Sequence, residues 1–274
     1  MNNKQSISLI GAGHLGRALL CGLIKNGYPA QSITVSNRNQ DKLSRLVNEL
    51  AVLPAATNND AVDAAELLIL AVKPQFMQDV CQEIAAKVQM RKPLIISLAG
   101  VTEIEQIAQW LGVTDLSIIR VMTNTPMEFC KGTSALFANS CATDAHKKIT
   151  ETLFNAVGST FWVDKEQLLD PLTAAIGSAP AYVFLFMEAL QKAAASQNIP
   201  DELAEKIAID VVSGAAVLAK QSNYSFAELR AGVTTPHGIT EHSLKALDTE
   251  DFFTSFKKIY LAANERIEQI KSKA

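Results

Sequence analysis

The chain has 274 residues, of which 48% are hydrophobic and 19% charged, and its formal net charge is −3. That length accommodates one large or two modest domains with a substantial core, and a slightly acidic chain without a basic run argues against nucleic acid as a partner. Four histidines and four cysteines are scattered without helical pairing or a C-x-x-C motif, so no metal centre is expected and the cysteines suit a reducing compartment.

The first predicted strand covers residues 6–10 and runs into Gly11-Ala12-Gly13-His14-Leu15-Gly16, followed by a helix over 14–26. Strand, G-x-G-x-x-G turn and helix in that order form the dinucleotide fingerprint. The first glycine makes the tight turn, the second lets a pyrophosphate approach the backbone, and the third lets helix and strand pack closely. The helix N-terminus then offers free N–H groups to phosphate. Further strands are predicted over 33–36, 67–72, 94–98, 117–121, 134–137 and 159–163, with helices over 40–50, 75–89, 102–110 and 144–156. This alternation is the βαβ rhythm of a parallel sheet.

After Val163 no strand is expected. Leu203, Ile207, Val211, Ala215 and Leu218 fall on one helical face, Asn198–Asp201 breaks the pattern, and a last helix is predicted from Asp251 toward Lys271. The fold class is therefore α/β: an N-terminal Rossmann-like dinucleotide-binding domain over 1–163, then an all-α C-terminal domain over 164–274. Residues 182–187, Tyr-Val-Phe-Leu-Phe-Met, have little polar relief, so the all-α part is expected to be a dimerisation domain, the alternative being a helix buried within its own domain. The most apolar stretch, 174–187, contains Gly177 and Pro180 and is expected to be too short to span a bilayer. One lysine before the first strand leaves no room for a targeting peptide, which points to the cytoplasm.

A dinucleotide site selective for NAD carries an acid about 20 residues beyond the glycines. Here the second strand ends Val35-Ser36-Asn37-Arg38-Asn39, with no acid. Ser36 can hydrogen-bond and Arg38 can clamp a 2′-phosphate or an adenine face, so NADPH is the expected cofactor, with NADH possible. Ala71-Val72-Lys73-Pro74 follows the third predicted strand and should lie beside the nicotinamide half. Residues 234–240, running into a helix predicted over 241–247, make a candidate anion cradle. The plain reading of Thr240 is a helix N-cap.

Three further segments, with the glycine turn, resemble the pyrroline-5-carboxylate reductase family. They are Arg120-Val121-Met122-Thr123-Asn124-Thr125-Pro126, Gly177-Ser178-Ala179-Pro180-Ala181-Tyr182, and Leu229-Arg230-Ala231-Gly232-Val233-Thr234-Thr235-Pro236-His237-Gly238-Ile239-Thr240. Residues 71–74 and 97–102 also match, and the likeness runs along the whole chain in order. It implies reduction of a cyclic imine, L-1-pyrroline-5-carboxylate, to L-proline by hydride transfer. It also implies Thr240 as the catalytic hydroxyl at the ring nitrogen, and Ser178, Thr235, Gly238, Ile239 and Thr240 around the substrate. Gly11, Gly13, His14, Leu15, Gly16, Ser36, Arg38, Asn58, Ala71, Val72, Lys73, Pro74 and Asn124 would hold the cofactor, and a homodimer that assembles further is implied.

The chain departs from the family pattern near the chemistry. Ala179 and His237 replace glycines, Thr235 replaces a serine, and Ile176 stands where many members carry serine. Histidine lacks the conformational freedom that glycine supplies. One reading makes His237 a titratable donor that renders substrate binding acid-favoured; the plainer expectation is a loop histidine facing water. Two rivals stay open: a related oxidoreductase acting on another imine or on a β-hydroxy acid, the latter with Lys192, Lys206 or Lys220 as candidate catalytic lysine, and a cofactor-binding regulatory protein without turnover.

Overall fold

The computed structural model describes residues 4–247 and 249–272. Eight strands, β1 (Ile7–Ile10), β2 (Ile33–Ser36), β3 (Leu53–Pro54), β4 (Leu67–Leu70), β5 (Leu94–Ser97), β6 (Ile118–Met122), β7 (Gly132–Ala138) and β8 (Gly158–Trp162), form one sheet in the order β3-β2-β1-β4-β5-β6-β7-β8. Every position of β1, β4, β5 and β6 is buried, as continuous apolar runs in a sheet covered on both faces require. Chain order reverses at β1, so the crevice at the carboxyl ends of β1 and β4 is the topological switch point where such sheets bind ligands.

On one face α1 (His14–Lys25), α2 (Gln40–Leu50) and α6 (Asp144–Asn155) pack Leu19, Leu20, Leu43, Leu46 and Phe154 into the core. On the other, α3 (Asn58–Asp63), α4 (Met77–Arg91) and α5 (Ile104–Leu111) contribute Val62, Met77, Cys81, Ile84 and Ile107. Helix α1 lies tight against a 3-10 turn over Thr125–Phe129. A methyl group at Gly22 would stand 2.1 Å from the carbonyl oxygen of Met127, and Arg17 Nη1 donates to Glu128 Oε1 at 2.7 Å.

The structure adds β3 and α3 to the predicted elements. β3 has two residues, too few to show a period, and its Pro54 is tolerated because the strand is at the sheet edge. α3 is short and rests on a capping box between Thr57 and Asp60 rather than on an amphipathic stripe. The parallel rhythm also fails once: β6 and β7 run antiparallel, because the nine-residue span between them is too short for a helical crossover.

Beyond the sheet lie α7 (Leu169–Leu172), a π-helical segment (Thr173–Ser178), α8 (Ala179–Ala195), α9 (Asp201–Gln221), α10 (Phe226–Gly232), α11 (Ile239–Ala246) and α12 (Thr249–Lys271). The chain divides into two compact units, one reaching Ser178 and resuming at Ala263, the other spanning Ala179–Ala262. The first unit thus extends past residue 163, because Leu169 and Ile176 are buried in a cluster with Met122 and Ala135.

The expectation that the apolar stretch is too short for a membrane needs correcting. Glu166–Ala195 is one helical run of 30 residues, long and apolar enough by length and composition to cross a bilayer. Gly177 falls within the π segment, and Pro180 sits in the first turn of α8, where its missing N–H costs least. In the second unit α8 packs on α9, yet only Ala204 and Ala208 are buried among its described residues. Phe184, Leu185 and Phe226 remain 61%, 64% and 81% exposed.

Candidate functional site

A cleft of about 630 Å³ opens at the switch point and is lined by Gly11, Gly13, Ser36, Arg38, Asn58, Ala71, Val72 and Lys73, among others. Local chemistry fixes its shape. Gly11 sits at φ +98°, a left-handed conformation, and its N–H donates to the Ser36 carbonyl at 2.9 Å. A methyl at Gly16 would come within 2.5 Å of the Gly11 carbonyl oxygen, so this glycine brings α1 against the strand and does not line the cleft. Gly13 differs: a methyl there would meet nothing within 4 Å. It is the N-cap of α1, no side chain caps it, and no acid occupies the first turn. An uncapped helix end with open space before it suits the two phosphates of a dinucleotide.

The far wall of the cleft is built from β2, α3 and α4. Ser36 Oγ donates to Asn58 Oδ1 at 2.7 Å, and Asn58 Nδ2 donates to Glu83 Oε2 at 2.7 Å. Asn37 Oδ1 accepts from the Ala12 N–H at 3.1 Å, tying the glycine turn to the end of β2. The Arg38 guanidinium lies 4.6 Å from the centre of the Phe76 ring, a cation–π stack that holds the arginine at the cleft wall. Lys42 also lines this end. Two cations beside a strand end that lacks an acid suit a group carrying an extra phosphate.

His14 and Lys73 are exposed, and His14, Leu15, Pro74 and Asn124 are outside the cleft lining. Asn124 is committed on both sides of its amide. Its Nδ2 donates to the Ile176 carbonyl at 3.1 Å, and its Oδ1 accepts from the Thr133 N–H at 3.0 Å. Ser178, half-buried, ends the π segment. Ala179 opens α8 and is not at positive φ, so the missing glycine there strains nothing in the backbone.

In the second unit the 234–240 bend is ordered by its own backbone. Gly238 N–H donates to the Thr235 carbonyl at 2.9 Å, and Thr234 Oγ1 donates to the Arg230 carbonyl at 2.6 Å. His237 adopts φ +59°, the left-handed conformation that a glycine would occupy at no cost. Its N–H donates to Glu241 Oε2 at 2.6 Å, while its side chain is exposed, in line with the plainer expectation. That bond, after the Lys245 ammonium, holds the Glu241 carboxyl below the usual carboxylate range. The N-cap reading of Thr240 needs correcting. α11 starts at Ile239 with Gly238 as its cap, so Thr240 is the second helical residue, exposed and without a hydrogen-bond partner for its hydroxyl among the described residues.

Residues 6–100 match the family model described as NADP oxidoreductase, coenzyme F420-dependent, and residues 166–270 match pyrroline-5-carboxylate reductase dimerisation. A pyrroline-5-carboxylate reductase from Pasteurella multocida is 37% identical over 272 residues, covering 97% of this chain and 98% of that one. The chain belongs to the pyrroline-5-carboxylate reductase family. The structure of a pyrroline-5-carboxylate reductase from Coxiella burnetii aligns with a TM-score of 0.88 at 37% identity, covering 97% and 98% of the two chains. A Plasmodium falciparum pyrroline carboxylate reductase, solved with NADP bound, shares the fold at a TM-score of 0.86 and 24% identity, over 98% of each chain.

Several residues in this family member's cleft escape a reading of motifs. Lys42, Glu83 and Phe76 reach it from α2, α4 and the turn before α4 respectively. Phe76 follows Lys73-Pro74 by two positions, the only local signal that it belongs to the same loop. Glu83 carries none, since an acid on a helix face reads as solvated.

Proposed function

We propose that the protein reduces L-1-pyrroline-5-carboxylate to L-proline with NADPH, accepting NADH less well. The observation that carries this reading is 37% identity along essentially the full chain to a protein named for that reaction. Bound reduced nicotinamide supplies a hydride to the imine carbon. The chain's own residues bind, orient and place protons. Gly11, Gly13, His14, Leu15 and Gly16 form the phosphate turn, and Ser36 and Arg38 take the adenosine end with its 2′-phosphate. Asn58 shapes that end, and the Ala71–Pro74 loop and Asn124 support the nicotinamide side.

Thr240 is the catalytic hydroxyl, holding a proton at the ring nitrogen of the imine. Its lack of an internal hydrogen bond supports this role, because a hydroxyl already bonded in the fold would have to give up that partner. Thr235, Ser178 and the Gly238, Ile239 and Thr240 backbone take the substrate carboxylate, as free N–H groups at the start of α11 favour.

The protein works as a homodimer, whose second copy covers the apolar side chains that the helical unit leaves exposed. The dimerisation model over 166–270 supports a protein partner, rather than lipid, for Phe184 and Leu185. The functional division proposed near residue 163 separates the cofactor-binding sheet from the helices that follow it. The cytoplasm is the proposed location, and four free thiols fit it.

The test is direct. Purified protein, NADPH and the cyclic imine are mixed and the reduced-nicotinamide absorbance followed. Oxidation that requires the imine is the expected result. Tight NADPH binding without turnover would replace this reading with that of a regulatory protein.

A further inference from the structure

The strand β6 and its exit carry two side chains, four residues apart, that reach the same downstream segment. Arg120 is 1% exposed; its Nη1 donates to Glu166 Oε1 and its Nη2 to Asp170 Oδ1, each at 3.0 Å, and Nη2 also donates to the Gly100 carbonyl. Glu166 Oε1 additionally accepts the Ile104 N–H at 2.8 Å, and Lys271 joins Asp170 to Glu103. Asn124 then takes the Ile176 carbonyl with its amide. Residues 166–178 are thereby pinned at Glu166, Asp170 and Ile176, all from one strand end.

The pinned segment is π-helical over Thr173–Ser178. A π turn displaces the i→i+4 ladder and leaves carbonyls in need of other donors, and such turns persist where something outside the helix holds them. Asn124 is that donor for Ile176. The π turn lies beside the exit of β6: a methyl at Gly177 would be in ordinary contact, 3.5 Å from Met122 Sδ and 4.0 Å from the Thr123 carbonyl. Ser178 follows directly.

We infer that Arg120 and Asn124 are positioning residues which clamp the π turn onto the end of β6 and so fix where Ser178 presents its hydroxyl to the substrate. This rests on the proposed imine reduction and assigns to the R-x-x-x-N spacing a mechanical purpose. Asn124 acts through Ser178: its amide goes to the Ile176 carbonyl and the Thr133 N–H, and it is outside the cleft lining. The doubly paired, buried Arg120 keeps the segment from sliding, because freeing either carboxylate would leave a buried charge uncompensated.

The experiment is a double-mutant cycle in the full chain, run after wild-type turnover of NADPH with the cyclic imine has been established, so that failure of the functional reading is seen first. Asn124→Asp keeps the acceptor for Thr133 and loses the donor for Ile176. Expected are a ten- to hundredfold fall in kcat, an NADPH dissociation constant within threefold of wild type, and near-complete loss of the effect in a Ser178→Ala background. Asp170→Asn, the second cycle, is expected to show a smaller kcat loss that is likewise absorbed by Ser178→Ala. Effects that add independently to Ser178→Ala, or a parallel loss of NADPH affinity, overturn the inference. Loss of folded protein in both variants also overturns it, since the clamp would then serve the fold and not the site.

Discussion

In the sheet unit, β1, β4, β5 and β6 are buried at every position, and helices on both faces complete two apolar layers. The helical unit spans Ala179–Ala262 and buries only Ala204 and Ala208 among its described residues. Long amphipathic helices in 84 residues that leave Phe184, Leu185, Val211, Leu218 and Phe226 in water do not make an independent core. The contrast teaches that the two halves solve burial differently. A parallel sheet is covered by its own crossovers, whereas these helices are built to be completed by another molecule.

The sharpest way to break that contrast is to charge the exposed helical face. Leu185→Glu is expected to weaken self-association by at least a thousandfold, roughly 4 kcal/mol, giving monomer by light scattering at micromolar concentration with imine reduction lost. A variant that keeps the wild-type mass would remove the argument for a second copy. In the sheet unit the largest effect is expected at Gly16→Val, which drives a side chain into the Gly11 carbonyl. NADPH affinity should fall at least a hundredfold, about 3 kcal/mol, in a fluorescence titration, while the oligomer persists.

Arg38→Ala should raise the KM for NADPH about thirtyfold, near 2 kcal/mol, and leave that for NADH within twofold; equal losses would mean that the stacked arginine serves both cofactors alike. Alkaline pH probes the sheet core itself. Burial pushes the Cys81 thiol and the Tyr28 hydroxyl each up to about 12, from 9.0 and 10.0 respectively. Both groups bind their proton more tightly when folded, so their stabilisation is complete below the unfolded values and is lost as pH climbs toward 12. Urea titrations should show stability falling by about 1 kcal/mol between pH 9 and 10, with a flatter slope in Cys81→Ala. An unchanged slope would assign the alkaline loss elsewhere. The smallest effect is expected at His237→Gly, which relieves a left-handed residue. A gain of about 0.5 kcal/mol, read as a rise in Tm, is the expected outcome, and a fall would show that the histidine side chain contributes more than its backbone costs.

Most of the sheet was legible in the sequence because buried parallel strands are short continuous apolar runs. β2 and α2 fall on the predicted residues, and the glycine turn leads from the end of β1 into the first residues of α1. What escaped was held by information other than periodicity. β3 is defined by its pairing with β2, α3 by its cap, and the antiparallel β7 by the length of the preceding loop. The cleft was readable as far as motifs reached, through Ser36, Arg38 and Asn58. Phe76 and Glu83 were hidden because only the fold brings α4 and its preceding turn to the end of β2. The extension of the first unit to Ser178 was hidden for a related reason. A helix that caps a sheet edge reads, residue by residue, like the start of a helical domain.

The close seat of α1 on Met127 has a consequence for how the nucleotide is gripped. The helix that begins at the glycine turn and the loop that leaves Asn124 are pressed together at Gly22 with no room for a single methyl, and Arg17 bolts the same junction to Glu128. On the proposed function, the phosphates and the nicotinamide side of a long, flexible cofactor would thus meet one stiff block. Little ordering is left to be done on arrival, and a bulkier residue at position 22 would loosen the frame while leaving every polar partner in place.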